Sequence, residues 1–218
     1  MEEWRMYENN QVSLIGRMLS PGGYSYTSHG IPFYQMYMAV ERRSSVVDQI
    51  PLMLPIWMFQ IWKDYNGQLL LVNGQFRSYD KDRHKSLYVF VKAIEIVELE
   101  TDPTRSTNNQ VFLDGYICKD PIYRKTPQGR EIADLIVAVD RQYNNSDYIP
   151  CICWGKVARE ASSFRIGSHI QLEGRIQSRE YRKVLGEGEA EIRIAYEVSV
   201  KRLRHMEERV TETGQNQI

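Results

Sequence analysis

The 218-residue chain carries 28 Lys/Arg and 28 Asp/Glu, so its formal charge is zero, which excludes a strongly basic or strongly acidic protein. No apolar run reaches the roughly 18 residues that a membrane span needs. The acidic start, Met1-Glu2-Glu3-Trp4-Arg5, lacks the apolar core of a signal peptide. We therefore expect a cytoplasmic protein with no membrane partner.

Cysteine and histidine usage gives no sign of a disulfide framework or a metal centre. Three cysteines, Cys118, Cys151 and Cys153, are too few for such a framework. The Cys151-x-Cys153 spacing lacks the two-residue gap of common zinc sites. We predict reduced core cysteines, no metal site and no cofactor.

An internal repeat organises the chain. The run Asn9-Asn10-Gln11-Val12-Ser13-Leu14-Ile15-Gly16 returns 99 positions later as Asn108-Asn109-Gln110-Val111-Phe112-Leu113-Asp114-Gly115. Ile50-Pro51 returns in the same register as Ile149-Pro150. Because chance matches do not keep one register over such a distance, the chain is a duplicated domain of about 100 residues.

A polar segment divides the two copies. Residues 98–107 contain a proline and little apolar content, which is typical of a linker. We predict a first domain over residues 1–97, a linker over 98–107, a second domain over 108–206 and a disordered tail over 207–218.

Alternating apolar and polar residues predict the elements of the second copy. These are strands over 111–117, 135–139, 148–154, 170–176 and 192–200, a short helix over 156–164, and a hairpin tip at Gly186-Glu187-Gly188. Five strands with a helix between the third and fourth is the order of an OB-fold barrel. We predict a mainly all-β chain with two tandem five-stranded OB-fold barrels, each with a short helix between strands three and four.

The third strand of the second copy must turn one face to the core and one to solvent. Two small thiols, Cys151 and Cys153, fit a packed interior better than Tyr148 and Trp154 do. We therefore place the two rings on the outside of the barrel. The alternative is that they are ordinary core aromatics.

The alternation of inward and outward residues also places cations on this outer face. Arg175, Arg179 and Tyr181 share one outward line, and Tyr143 follows the second strand just past Arg141. Flat rings stack on unpaired bases whatever their identity, and guanidinium groups neutralise phosphates. The pattern favours a single-stranded nucleic acid, DNA or RNA, as the ligand.

Short motifs run through the second copy from residue 109 to residue 179. They are Asn109-Gln110-Val111-Phe112-Leu113-Asp114-Gly115, Lys119-Asp120-Pro121, Thr126-Pro127-Gln128-Gly129, Ala138-Val139, Tyr148-Ile149-Pro150-Cys151-Ile152-Cys153-Trp154-Gly155-Lys156 and Leu172-Glu173-Gly174-Arg175-Ile176-Gln177-Ser178-Arg179. In combination they resemble the bacterial single-stranded DNA-binding protein family, in the form with two OB folds per chain. The resemblance is strongest over residues 108–203.

The resemblance implies base-stacking aromatic residues at four places: after strand two, at the start of strand three, near its end, and in the hairpin after strand four. Here these places hold Tyr143, Tyr148, Trp154 and Tyr181. With their basic neighbours and two rings of the first copy, the candidate DNA-binding residues are Tyr143, Tyr148, Trp154, Tyr181, Arg141, Lys156, Arg175, Arg179, Arg182, Lys183, Trp57 and Tyr79.

The first copy matches the family less well. Ser44 and Gln49 take the first two stacking places, Trp57 stands near the third, and Tyr79 or Lys81 near the fourth. Its third strand is a nearly unbroken apolar run over residues 52–62. Such a run indicates burial on both faces or an apolar patch covered by a partner. We expect this copy to contribute more to assembly than to stacking.

The resemblance further implies sequence-independent binding and protection of single-stranded DNA in replication, recombination or repair, near the nucleoid. It also implies a homodimer with four OB folds. Replication and repair proteins are candidate partners, but residues 212–218 lack the acidic run through which the family recruits them, which favours a plasmid or phage role.

Two other classes of function compete with this prediction. An OB-fold protein-interaction module of a primosome or mobile-element replication complex would use the apolar strip of the first copy. An enzyme would need a Gly-rich phosphate loop, a nucleophile with its base, or a metal-ligand cluster, and the sequence shows none of these spacings. We therefore predict that the chain is not an enzyme.

Overall fold

The computed structural model describes residues 9–58, 64–81, 84–97, 108–141, 145–186 and 189–206. Over these residues the protein is mostly β. The predicted linker, 98–107, and tail, 207–218, lie outside the described residues. The elements are β1 (Asn10–Ser28), β2 (Ile31–Glu41), β3 (Val47–Pro55), a 3₁₀ helix (Ile56–Met58), β4 (Leu69–Lys81), β5 (His84–Ile96), β6 (Asn109–Ile117), β7 (Ile122–Lys125), β8 (Glu131–Arg141), β9 (Asn145–Trp154), α1 (Lys156–Ala161), β10 (His169–Gly186) and β11 (Glu189–His205).

Each repeat closes into a five-stranded barrel. In the first barrel β1 pairs with β2, β2 with β3, β3 with β5, β5 with β4, and β4 with β1. In the second, the order β6, β8, β9, β11, β10 closes on β6 in the same way. The β3–β5 and β9–β11 pairs are parallel and the others antiparallel. The predicted fold of two tandem OB barrels is confirmed.

Helices occupy the predicted place between strands three and four. In the second barrel α1 is six residues long and buries Ala158 and Ala161. In the first barrel the described part of this connection is the 3₁₀ helix Ile56–Met58, and residues 59–63 lie outside the described residues. None of the described helices is long and apolar enough to cross a membrane.

Glycines allow strands to cross where each barrel closes. A Cβ on Gly74 would lie 2.3 Å from the carbonyl oxygen of Phe90, and one on Gly174 would lie 2.5 Å from that of Ser199. Gly16 and Gly115 meet carbonyl oxygens as closely. Only a residue without a side chain permits such an approach. The repeat therefore preserves these four glycines because the barrels need them for closure.

Alternate residues of each strand fill the barrel interiors, as period-2 patterning requires. Cys151 and Cys153 belong to this core, which confirms the prediction for the pair. Burial raises the pKa of Cys153 to about 12 and that of Cys151 well above its usual value. Because the thiolate is the reactive form, burial keeps both groups as thiols at neutral pH.

The first strands of the two barrels join them edge to edge. β1 and β6 pair antiparallel, with Val12 opposite Val111. These two valines are the same position of the repeat, so an approximate twofold axis passes between them. The pairing merges both barrels into one eleven-stranded sheet over the described residues.

A β-hairpin extends from each barrel toward the other. We call residues 77–81 with 84–88 the first arm and residues 177–186 with 189–197 the second arm. Ser178 of the second arm meets Asp48 of β3, and Ser78 of the first arm meets Asp147 of β9. Each arm is therefore anchored to the third strand of the other barrel.

The two anchoring contacts occupy equivalent positions but differ in quality. In the Asp48 contact, Arg42 donates to both carboxylate oxygens at 2.7 and 2.6 Å, and Ser178 donates from N and Oγ at 2.7 and 2.8 Å. In the Asp147 contact, Oδ1 alone accepts hydrogen bonds: from Ser78 N at 2.8 Å, Ser78 Oγ at 3.4 Å and Arg141 at 3.3 Å. Oδ2 of Asp147 has no partner among the described residues.

The apolar run of the first copy is covered by its own barrel. Residues 50–55 of β3 are buried on both faces, so the first of the two predicted alternatives is the correct one for this stretch. Leu52 and Leu54 face the barrel interior, while Met53 packs outside against Phe33 and Tyr88. Residues 59–62 of the run lie outside the described residues.

Candidate nucleic-acid interface

β9 carries two rings on the outside of the second barrel. Tyr148 and Trp154 are 41% and 39% exposed, whereas Ile149, Cys151 and Cys153 between them are buried. This is the predicted parity. Tyr148 and Trp154 are six positions apart, which corresponds to about 20 Å along a strand.

The second arm carries a third ring with a cation beside it. Tyr181 is 38% exposed. The guanidinium carbon of Arg179 lies 5.8 Å from the Tyr181 ring centroid, within cation–π range. Arg179 Nε also donates to Glu197 at 3.2 Å, which helps hold the guanidinium beside the ring.

A row of neighbours runs across four strands from β8 through β9 and β11 to β10, the strand that continues into the second arm. Asp134 of β8 lies opposite Ile152, Ile152 is level with Ser199 of β11, and Ser199 lies opposite Arg175 of β10. Trp154 is two residues to one side of this row and Tyr148 four residues to the other. We call Tyr148, Trp154, Arg175, Arg179 and Tyr181 the ring–arginine face.

The other predicted cations divide into two groups. Lys156 is exposed at the start of α1, directly after β9, and Lys183 lies on the same side of the second arm as Tyr181 by strand alternation. Arg182 points to the opposite side of the arm, away from Tyr181, so the ring–arginine face does not include it. Arg141 is engaged with Asp147. Tyr143 lies outside the described residues.

The predicted ring positions of the first copy do not match the second copy. Pro55, not Trp57, takes the place of Trp154, because Phe33 pairs with Pro55 as Ile132 pairs with Trp154. Trp57 follows in the 3₁₀ helix and is highly exposed. Sequence alignment alone could not place it, since the apolar run gives no register.

Tyr79 belongs to a cluster of rings that sequence reasoning missed. Its ring meets that of Tyr88 edge-on at 5.1 Å, and Tyr26 stacks on Phe33 at 5.0 Å. We call Tyr26, Phe33, Met53, Tyr79, Tyr88 and Phe90 the ring cluster. It covers the part of the outer face of the first barrel around Met53. The alternation of Tyr88 and Phe90 with the core residues Val89 and Val91 was the available signal.

Charge and burial shape the edge of the ring cluster next to the second barrel. Burial raises the pKa of Tyr88 to about 12 and that of Tyr26 above its usual value, so both stay neutral hydroxyl groups. The guanidinium of Arg77 lies 4.3 Å from the centroid of the Phe90 ring.

The described residues contain no group of three or more His, Cys, Asp or Glu side chains that could hold a metal ion.

Known proteins resemble this chain in sequence and in fold. The family model described as "Single-strand binding protein family" matches residues 108–206. Single-stranded DNA-binding protein 2 of Listeria innocua is 40% identical over 80 residues, 34% of this chain and 50% of that protein. Single-stranded DNA-binding protein B of Bacillus subtilis is 38% identical over 80 residues, 34% of this chain and 71% of that protein. The match thus spans about half the length of the Listeria relative.

The likeness in structure extends over both barrels. The crystal structure of the wild-type single-stranded DNA binding protein from Thermus aquaticus superposes with a TM-score of 0.69 at 25% identity, covering 96% of each chain. These relatives are named for binding and not for catalysis, in agreement with the prediction of a non-enzymatic protein. The chain belongs to the single-strand binding protein family and carries two of its OB barrels.

Proposed function

We propose that the chain binds single-stranded DNA without regard to sequence, through the ring–arginine face of the second barrel. The observation that carries the proposal is the exposure of Tyr148, Trp154 and Tyr181 beside Arg175 and Arg179 on one side of a barrel whose interior is fully packed. The names of the relatives point to the same ligand.

The chemistry of this face suits unpaired bases. Each base that stacks on an aromatic ring contributes about 1–3 kcal/mol, and the contribution depends little on base identity. Arg175 and Arg179 supply phosphate contacts between the rings. Such a protein would cover exposed strands during replication, recombination or repair, and would lie with the nucleoid.

Fluorescence titration with oligo-dT tests the proposal. We expect Trp154→Ala and Tyr181→Ala each to weaken binding about tenfold or more, as the loss of one stacked base requires. Tyr116→Ala is the matched control: Tyr116 is as exposed as Tyr148 but lies two strands farther round the barrel, stacked on His169. Unchanged affinity in both ring variants would overturn the proposal.

We also propose that two copies associate, so that the assembly has four barrels. The strands β5, β4, β1, β6, β10 and β11 form a continuous face across both barrels that a second copy could cover. Light scattering on the purified full chain should give twice the chain mass. A monomer at micromolar concentration would contradict this proposal and leave DNA binding untouched.

The domain division and the partners stay proposals as well. The described strands lie within residues 10–96 and 109–205 and are compatible with domains over 1–97 and 108–206. Replication and repair proteins are proposed partners because they act on the same exposed strands. Limited proteolysis with mass spectrometry, expected to cut within 98–107 first, tests the division.

A further inference from the structure

Two guanidinium groups converge on one carboxylate where the first arm crosses to the second barrel. Arg141 and Arg77 both act electrostatically on Asp147, and each acts on the other. Asp147 is fully buried, and one of its oxygens and Nε of Arg77 have no partner among the described residues. One negative charge faces two positive charges, so the cluster keeps a net positive charge.

The two arginines have donors to spare. A guanidinium carries five N–H donors. Within the described residues Arg77 donates one hydrogen bond, to Gln75 at 2.7 Å, and Arg141 donates one, to Asp147 at 3.3 Å. Arg42, the equivalent of Arg141, instead donates three, to Asp48 and Ser178. Arg42 therefore uses more of its donors in the Asp48 contact than Arg141 uses in the Asp147 contact.

Two hydroxyl groups and a ring lie around the cluster. Tyr26 and Tyr88 interact with each other, and both arginines act electrostatically on the two hydroxyls. Arg77 lies over the Phe90 ring, which fixes the plane of its guanidinium fork. Planar forks with fixed direction recognise phosphate oxygens well.

The cluster lies directly beside the ring–arginine face. Tyr148 follows Asp147 in β9, and its backbone N–H donates to Ser78 Oγ at 2.9 Å. Ser78 in turn follows Arg77 in the first arm. A strand stacked on Tyr148 therefore meets the two arginines next, and beyond them the first arm.

We propose that Arg77 and Arg141, with the Tyr26 and Tyr88 hydroxyls, bind a backbone phosphate of single-stranded DNA as it passes from the second barrel to the first. The inference rests on the proposed function and locates a contact that lies across the boundary between the barrels. The equivalent of Arg77 in the second arm is Gln177, which lacks the charge. The Asp48 contact has its own second cation, Arg175, which acts electrostatically on Arg42 and Asp48, but there both carboxylate oxygens accept hydrogen bonds.

Anisotropy titrations with fluorescein-labelled oligo-dT, long enough to cover both barrels, test the site at several salt concentrations. We expect Arg77→Gln to weaken binding about tenfold, as the loss of a charged hydrogen bond requires. The slope of log K against log salt should fall by about 0.7, the value for one phosphate on a single strand. Arg204→Gln, an exposed charge elsewhere on the second barrel, is the control and should change neither quantity.

A double-mutant cycle locates the contact. Because Arg77 and Arg141 hold one phosphate, Arg77→Gln with Arg141→Gln should cost less than the sum of the two losses. Arg77→Gln with Trp154→Ala should be additive. Should Arg77→Gln fold poorly, Arg77→Lys keeps the charge and should keep the wild-type salt slope.

Three results would overturn the inference: an unchanged salt slope in Arg77→Gln, full additivity of the two arginine variants, or a slope in Arg77→Lys as low as in a variant without the charge. Wild-type protein that fails to bind oligo-dT at all would instead overturn the proposed function. The two failures are therefore distinguishable.

Discussion

The two barrels share a scaffold and differ in the face that they turn outward. Both keep the glycines that allow closure, and both bury the same alternate positions. Around Met53 the outer face of the first barrel is filled by its own ring cluster, whereas the equivalent strand β9 of the second barrel exposes Tyr148 and Trp154. Closure and packing keep inward positions apolar, as where Cys151 and Cys153 stand in place of Leu52 and Leu54, whereas outward positions can change their chemistry without loss of fold.

The same contrast holds for the contacts that anchor the arms. Asp48 uses both oxygens, and Asp147 uses one. The better-satisfied contact holds the second arm, which carries Tyr181. We infer that a firmly held arm presents its ring in a fixed orientation, which lowers the ordering cost of stacking.

The largest expected effect separates these two carboxylates. Asp48→Asn should destabilise the protein by about 3–5 kcal/mol, because it leaves Arg42 partly buried without its partner. Asp147→Asn should cost about 1 kcal/mol, because only one oxygen is engaged and its bond to Arg141 is long. Urea denaturation followed by circular dichroism measures both. Equal losses would show that the two contacts are equivalent.

The next effect compares the filled face with the exposed face. Phe33→Ala should lower the free energy of unfolding by about 3 kcal/mol, since Phe33 is buried in the ring cluster. Trp154→Ala, at an exposed position, should lower it by less than about 1 kcal/mol while weakening oligo-dT binding. A stable Phe33→Ala protein with impaired binding would reverse these roles.

Much of this architecture was predictable from the sequence because it depends on local pattern. The repeat predicted two barrels, and the parity of β9 placed Tyr148 and Trp154 outside and the cysteines inside. The four-residue strand β7 was not predicted, because all of its residues are exposed and show no apolar alternation. The glycines at Gly186 and Gly188 predict the tip of the second arm, between β10 and β11, whereas the exposed hairpin of the first arm carries too little pattern to predict its bounds.

Contacts between the barrels could not be predicted from pattern. Asp147 and Ser78 are 69 residues apart, and nothing local marks either as a partner of the other. The sequence places Trp57 near the third stacking position, which Pro55 occupies, because an unbroken apolar run does not define which residue faces out. In both cases register, and not composition, decides the structure.

A third prediction tests whether the scaffold is equally strict in both barrels. Gly74→Ala and Gly174→Ala should each cost about 2–3 kcal/mol, because the added Cβ meets a carbonyl oxygen that cannot move without shifting a strand. Gly23→Ala is the control, since a Cβ there meets nothing within 4 Å. Thermal denaturation of the three variants measures these losses of stability. Tolerance of alanine at one site alone would mean that the barrels close differently.

The smallest effect is a difference in pH dependence between the two carboxylates. Burial opposes the ionised form of both, but the Arg42 and Ser178 hydrogen bonds outweigh it at Asp48 and lower its pKa, while at Asp147 burial prevails and raises the pKa. Asp48 therefore contributes stability that is present above its ordinary pKa of 3.8 and is lost as pH falls through the lowered value. Asp147 behaves in the opposite sense: its ionisation costs stability at neutral pH, and the cost disappears as pH falls from the raised value toward 3.8.

The free energy of unfolding of wild type, Asp48→Asn and Asp147→Asn, measured from pH 7 into the acid range, tests these opposite pH dependences. The stability advantage of wild type over Asp48→Asn should shrink on acidification, because the wild type loses the ionised carboxylate that Arg42 binds. Relative to Asp147→Asn, wild type should gain stability over the same range, because protonation removes the cost of a buried charge with one unpaired oxygen. Two differences of the same sign would mean that Arg77 and Arg141 stabilise ionised Asp147 as fully as Arg42 stabilises Asp48. The spare positive charge at the crossing would then be directed at the carboxylate and not at a phosphate.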